Sequence, residues 1–171
     1  EKFFMISGNE TTLMHKIKKF LHDFYVLDED FIKEEIDSIS QYNNEVSLFG
    51  KRKLYISYKL TGIDDEKLTK LSNSEDKFIF FHENSPKIRT LKNIFVKRKD
   101  CLLLDCYELS RDSKIRLLKK FLNKKNLSLN ELLFWELVDK LDDKYLFFEN
   151  ELEKLSLISS GVLDREAINK S

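Results

Sequence analysis

The first stretch whose residue types could do chemistry is "ISGNETTLMHK", residues 6 to 16. An apolar run, a glycine and then helix-forming residues is where an α/β nucleotide-binding domain keeps its phosphate loop. There glycines let backbone amides wrap the phosphates while a Lys and a hydroxyl reach the β/γ-phosphates and Mg²⁺. Counted from Gly8, the pattern G-x-x-x-x-G-K-[ST] requires Gly, Lys and Ser or Thr where Leu13, Met14 and His15 stand. A hydrolase strand ending in an acidic pair would hold the metal, yet "FIFFHE" ends in His82 and Glu83. With both parts missing, nucleotide hydrolysis is not the expected chemistry.

Other chemistries fare no better. His15 and His22 lie seven apart on one helix face and His82 is remote, with no HxxxH or CxxC, whereas a metal site needs three or four converging ligands. The imidazoles read as ordinary surface or partly buried groups, and no metal or cofactor is expected. No Ser, His and Asp share a nucleophile context, so no catalytic residues are assigned. "CLLLDC" reads as a strand, and the odd spacing of Cys101 and Cys106 sends them to opposite faces, roughly 16 Å apart. They cannot bridge each other locally, and so few cysteines suit a reducing, cytoplasmic setting. The single Trp135, within "NELLFWELV", is expected in a helical core rather than as a stacking platform.

The elements that would position any site are read from period and charge, because only 4 Gly and 1 Pro interrupt the 171 residues. "KFFMIS" (2–7) is a short continuous apolar run, as in a strand buried on both faces. A helix over 11–24 carries the stripe Leu13, Ile17, Phe20, Leu21 and Phe24, and a second over 29–46 continues it through Ile32, Ile36 and Ile39. Strands follow at 53–60 and 77–83, with a short helix in "DDEKLTKLS" between them. A helix over 85–99 has Pro86 in its first turn, and a strand over 100–108 closes the series. Alternation of this kind predicts a mainly parallel α/β sheet domain over 1–108. Beyond it come three helical stretches without strands, with Ser110 and Ser128 as N-caps, so a small helical domain is expected over 109–171.

The hydrophobic fraction of 42%, with 14 Phe, is enough for a real core. No apolar run approaches the roughly 20 residues of a membrane span, and "EKFFMIS" lacks signal-peptide architecture; the absent initiator Met points to a trimmed chain. Lys+Arg and Asp+Glu balance at 30 each, but not locally. Residues 28–45 hold seven acids and one base, 86–99 six bases and no acid, and 111–125 seven bases and one acid. The two basic helices could meet DNA phosphates, with Lys87, Arg89, Lys92, Lys97 and Arg98 as the contacts of the first. A solvated helix face is the plainer reading, since no aromatics interleave with the bases.

Leu48 and Phe49, between a polar run and Gly50, remain to be placed. If the helix from 29 runs on to 49, Phe49 lies about 60° from Val46 in the core stripe, whereas Leu48 lies about 200° away and faces out. If it breaks near Asn43 and Asn44, both side chains are free. Gly50 can then act as a C-cap. Pattern alone favours core packing for the pair, and an exposed Leu48 leaves an interaction surface open.

Three collinear segments, "FFMISGNETTLMHKIKKF", "EVSLFGKRKLYI" and "FFENELEKLSLIS", resemble the delta subunit of the bacterial DNA polymerase III clamp loader over nearly the whole chain. The resemblance implies an AAA+/RecA-like sheet domain without a functional phosphate loop, then a three-helix lid, with the family's helical collar domain absent after Ser171. It implies a non-catalytic subunit that binds the ring-shaped sliding clamp (the beta subunit) and helps open it during replication. Such a subunit works with ATPase and delta-prime-like subunits of the clamp loader and with DNA in the assembled complex, away from membranes. The holoenzyme as a whole is a DNA-directed DNA polymerase. By resemblance, Val46, Ser47, Leu48 and Phe49 match the clamp-binding ending Leu-Phe and its approach, with Glu45 where many clamp-binding peptides carry Gln. The competing expectations are an AAA+-type ATPase with an unrecognised nucleotide site and a DNA-binding module built on the basic helices.

Overall fold

The computed structural model describes residues 1–42, 50–83 and 88–158. The chain divides into two compact units, Glu1–Tyr107 and Glu108–Ser171. In the first, five parallel strands, β1 (Phe3–Gly8), β2 (Ile32–Ser38), β3 (Lys53–Lys59), β4 (Lys77–Glu83) and β5 (Cys101–Cys106), pair in the order β2-β3-β4-β1-β5. Every residue of β1 is buried, as a central strand covered on both faces requires.

Alternation along the strands builds two cores, one on each face of the sheet. Phe3 and Met5 join Tyr55, Phe78 and Phe80 under α2 (Asp65–Leu71) and α3 (Ile88–Lys97), which contribute Leu68, Leu71, Ile88, Leu91 and Phe95. Phe4 and Ile6 join Leu54, Ile56 and Ile79 under α1 (Thr11–Asp23) and the π-helical turn Phe24–Asp28. The first face is an aromatic stack: Phe3, Phe78 and Tyr55 lie nearly parallel, with centroids 5.5 Å apart between neighbours. Cys101 and Cys106 belong to opposite cores, as their spacing predicts, and both thiols are free.

The second unit packs α4 (Arg111–Lys125), α5 (Glu131–Lys140) and α6 (Tyr145–Ile158) around Leu118, Leu122, Leu137, Val138, Phe148 and Leu152. Ser110 caps α4 as expected, accepting from the Ser113 amide at 3.3 Å. Asn130, not Ser128, caps α5, accepting from the Leu133 amide at 2.9 Å. Within this core Lys114 is buried; its Nζ donates to the Leu141 carbonyl at 2.9 Å and pairs with Asp143 at 2.7 Å. A residue that counts as part of a basic helix in sequence is thus a strut between α4 and the α5–α6 turn. No helix among the described residues is long and apolar enough to cross a membrane.

Several expectations are corrected. The helix expected over 29–46 is the edge strand β2 followed by a 3₁₀ turn, Ile39–Gln41. Its isoleucines at four- and three-residue intervals imitate a helical stripe, but Ile32 is 42% exposed while Ile36 and Ile39 are buried. Its acids instead pair across the ladder, Glu34 with Lys53 at 2.8 Å and Asp37 with Lys59 at 2.9 Å. An edge strand needs no continuous apolar run, and charge on it discourages pairing with another chain. In α1 the buried residues are Met14 and Leu21, while Phe20 is 68% exposed; after it the π turn leaves Phe24 41% exposed and brings Tyr25 to the core. Trp135 is not a core residue either: it is 40% exposed, with the Arg111 guanidinium 5.1 Å from its ring.

Burial pushes the Cys101 and Cys106 thiols up to about 12 and about 11. Both are therefore expected to resist alkylation at pH 8 in the native protein and to react once urea unfolds it, as mass spectrometry would read. Because unfolded thiols ionise near 9 while the folded ones hold their protons, stability should fall as pH rises above about 9, measured by urea midpoints.

Candidate functional site

The passage from β1 into α1 takes only Asn9 and Glu10. Gly8 has φ of +149°, and a Cβ there would lie 1.7 Å from the Cys106 carbonyl oxygen of β5. The same oxygen accepts from the amides of Asn9 and Glu10 at 3.0 and 3.1 Å. No length of backbone is left to encircle a phosphate. The amides at the start of α1 are also taken: the buried Glu10 carboxylate accepts from Thr12 N at 3.1 Å, Leu13 N at 2.8 Å and Thr12 Oγ1 at 2.5 Å. A helix N-terminus attracts anions because its first amides are unpaired. Here the anion is a side chain of the chain itself, and a phosphate would meet its charge head-on.

Beside this turn, at the ends of β1 and β5, the buried Ser7 donates to Asp105 at 3.1 Å. Lys92 of α3 donates to the same carboxylate at 2.6 Å and to Tyr107 at 3.1 Å. His15 packs on the Phe81 ring at 5.1 Å, and His22 Nδ1 lies 2.9 Å from Asp23. Among the described residues no group of three or more His, Cys, Asp or Glu could hold a metal ion.

The residues Val46, Ser47, Leu48 and Phe49, matched to the clamp-binding ending, lie outside the described residues; their flanks do not. Before them, Tyr42 lays its ring edge-on against Tyr55 at 5.0 Å and Phe78 at 5.3 Å, and its hydroxyl donates to Asp76 Oδ2 at 3.0 Å. Burial pushes the Tyr42 phenol up to about 12. After them, Gly50 has φ of +65°, a left-handed conformation that glycine adopts without a Cβ penalty. Arg52 donates to the Glu29 carbonyl at 2.9 Å with its guanidinium 4.4 Å from the Phe31 ring, and Lys51 pairs with Asp30 at 3.1 Å. The Lys53 amide then donates to Asp76 Oδ1 at 2.8 Å.

Of the basic residues assigned to DNA contact, Lys87 lies outside the described residues. Lys92 is tied to Asp105, as above. Arg98 is clasped by Asp100 through two bonds of 3.0 and 2.8 Å and by Asp65 at 2.8 Å, which raises its pKa and lowers that of Asp100. Arg89 and Lys97 are exposed, two turns apart on one side of α3. Thus the structure keeps two of the five on a common free face and commits two to internal ion pairs.

No family model and no curated protein sequence matches the chain. A solved structure does: the Bacillus subtilis DNA clamp loader delta protein, at a TM-score of 0.62 over 99% of this chain, with 14% identity. The fold is that of a clamp-loader delta protein. The chain spans 57% of the length of that relative. At this identity the likeness rests on the order and packing of the elements: the all-parallel sheet, its covering helices and the helices that follow. Sequence reading missed Glu10 and Asp76, the two carboxylates that organise the β1–α1 turn and the flanks of residues 43–49. Nothing local announces either, since Glu is an uncommon N-cap and Asp76 acts across 34 residues on Tyr42 and 23 on Lys53.

Replacing Glu10 by Ala should lower stability by about 1 kcal/mol through loss of the cap, read by chemical unfolding. Millimolar Mg–ATP should leave the melting temperature of the parent chain unchanged. A rise of several degrees would reveal a nucleotide seat elsewhere.

Proposed function

We propose that this chain is the clamp-engaging part of a delta-like clamp-loader subunit, acting in DNA replication in the cytoplasm, and that Leu48 and Phe49, preceded by Val46 and Ser47, enter an apolar cleft on the sliding clamp. The observation that carries the reading is the delta-like fold along 99% of the chain. In sequence "EVSLFG" stands between β2 and β3 and "KLYI" opens β3, and it is the resemblance of this segment that gives Leu48 and Phe49 the clamp-binding role. The part is a mechanical one. It binds the ring and strains it open, while ATP hydrolysis belongs to partner subunits of the loader; the Glu10 carboxylate on the α1 amides favours a chain that takes no nucleotide itself.

Burying the two side chains in a cleft would contribute roughly 3–5 kcal/mol before the costs of association, enough to make them the anchor of a small interface. Glu45 in place of the usual Gln changes the polar anchor at the edge of that cleft. The DNA-binding alternative draws least support from α3, where Lys92 and Arg98 are bound to carboxylates of their own unit.

In calorimetry against the sliding clamp of the same source, Leu48→Ala/Phe49→Ala should abolish binding and leave the thermal unfolding midpoint unchanged. Undiminished affinity in the double variant would refute the role given to these residues.

A further inference from the structure

Helix α4 holds seven bases and one acid, and the packing of the second unit divides the bases into two sets. Arg111, Lys114 and Lys125 are each matched by a carboxylate from beyond the helix: Asp139 of α5 at 3.2 Å, Asp143 of the α5–α6 turn at 2.7 Å and Glu153 of α6 at 3.1 Å. Arg116, Lys119, Lys120 and Lys124 are exposed, and among the described residues no carboxylate pairs with any of them. Arg116 donates to the Ser113 hydroxyl at 3.2 Å, and Lys119 Nζ lies 5.9 Å from the centre of the Phe134 ring.

The four share one side of the helix. The buried line of α4 runs through Lys114, Leu118 and Leu122. At about 100° per residue, Arg116 and Lys120 lie roughly 160° from Leu118 to either side, with Lys119 and Lys124 roughly 100° and 120° from it. They span about 12 Å of helix, and no large apolar side chain of α4 is exposed among them.

Helix stability does not account for this arrangement. Arg116 with Lys120, and Lys120 with Lys124, are like charges four apart, which destabilise a helix. At the same spacing α2 and α5 place opposite charges instead, Glu66 with Lys70 at 2.6 Å and Glu136 with Lys140 at 2.8 Å. The one acid of α4, Asp112, stands in the first turn, where it serves the amides of the helix start. A polyanion laid along the face relieves the repulsion.

We propose that this face of α4 seats the phosphate backbone of duplex DNA, with Arg116, Lys119, Lys120 and Lys124 as the phosphate contacts. Duplex DNA carries one negative charge per roughly 1.7 Å of axis, so about seven stand opposite 12 Å of helix, more than the four bases require. A protein partner would call for an apolar or aromatic anchor and a single strand for stacking rings, and the face has neither. Contacts of this kind neutralise charge without reading bases, so binding has no sequence preference and falls steeply with salt. That the duplex is DNA rests on the replication reading above; the face itself rests on residues of the other unit.

The test is fluorescence anisotropy of a labelled duplex of arbitrary sequence, titrated with the chain from about 50 to about 200 mM salt. The parent should give a slope of log K against log salt of roughly −3 to −4. Arg116→Gln/Lys120→Gln/Lys124→Gln should bind at least about tenfold more weakly at the lower salt and lose about 3 from that slope, with its unfolding midpoint within about 3 °C of the parent. Arg89→Gln/Lys97→Gln, which removes two exposed bases of α3, should bind within about twofold of the parent. No binding by the parent at the lower salt overturns the proposal, as does a triple variant that binds like the parent. An equal loss in the α3 variant reduces the effect to overall charge and overturns the assignment to α4. Poly-glutamate bound as tightly as the duplex makes an acidic protein the occupant and overturns DNA. Leu48→Ala/Phe49→Ala should keep the duplex affinity of the parent, so that failure of the DNA face and failure of the clamp reading are seen separately.

Discussion

The backbone carbonyl of Cys106 receives the amides of Asn9 and Glu10, and Gly8 passes so close to it that no side chain would fit. That contact decides how β1 leaves the sheet. It fastens the central strand to the edge strand β5, turns the chain within two residues, and aims α1 back along the face occupied by Phe4 and Ile6. Glu10 then completes the start of the helix from inside. Where a helix N-terminus binds a phosphate, its first amides are left open so that the ligand can supply the negative charge. Here the charge is covalent, and the junction has become part of the framework.

Toward the opposite margin of the sheet, Tyr42 and Lys53 flank residues 43–49. The aromatic stack of Phe3, Phe78 and Tyr55 extends under Tyr42, so one face of the sheet forms a continuous base from the central strand to the flank of residues 43–49.

How much of this was legible follows from which signals are local. The strands β1, β3 and β4 are buried on both faces, so each announces itself as a continuous apolar run, and the helices of the second unit show their 3.6-residue period. The edge strand β2 was not legible, because its stability comes from lysines of β3 that only the register brings opposite its acids. Phe24 fits the expected stripe of α1 until a π turn, which no residue advertises, gives its place in the core to Tyr25. Trp135 sits in an apolar stretch yet finds its cover in Arg111, a residue 24 positions earlier on another helix. Of the candidate site, the failed phosphate loop was readable from three identities at Leu13, Met14 and His15, whereas Glu10 and Asp76 emerge only when distant backbone amides and hydroxyls are brought to them.

The charge segregation along the sequence also changes meaning once β2 lies beside β3. Glu29, Asp30, Glu34 and Asp37 stand in order against Arg52, Lys51, Lys53 and Lys59, so acids and bases far apart in the chain neutralise one another along a single ribbon at the sheet's margin. Such exposed pairs weaken in salt and vanish as carboxylates protonate, while the aromatic interior is indifferent to both. The margin is therefore the part of the sheet whose contacts depend on salt and pH. Raising ionic strength therefore weakens the charged margin of the sheet and leaves its aromatic interior as it was.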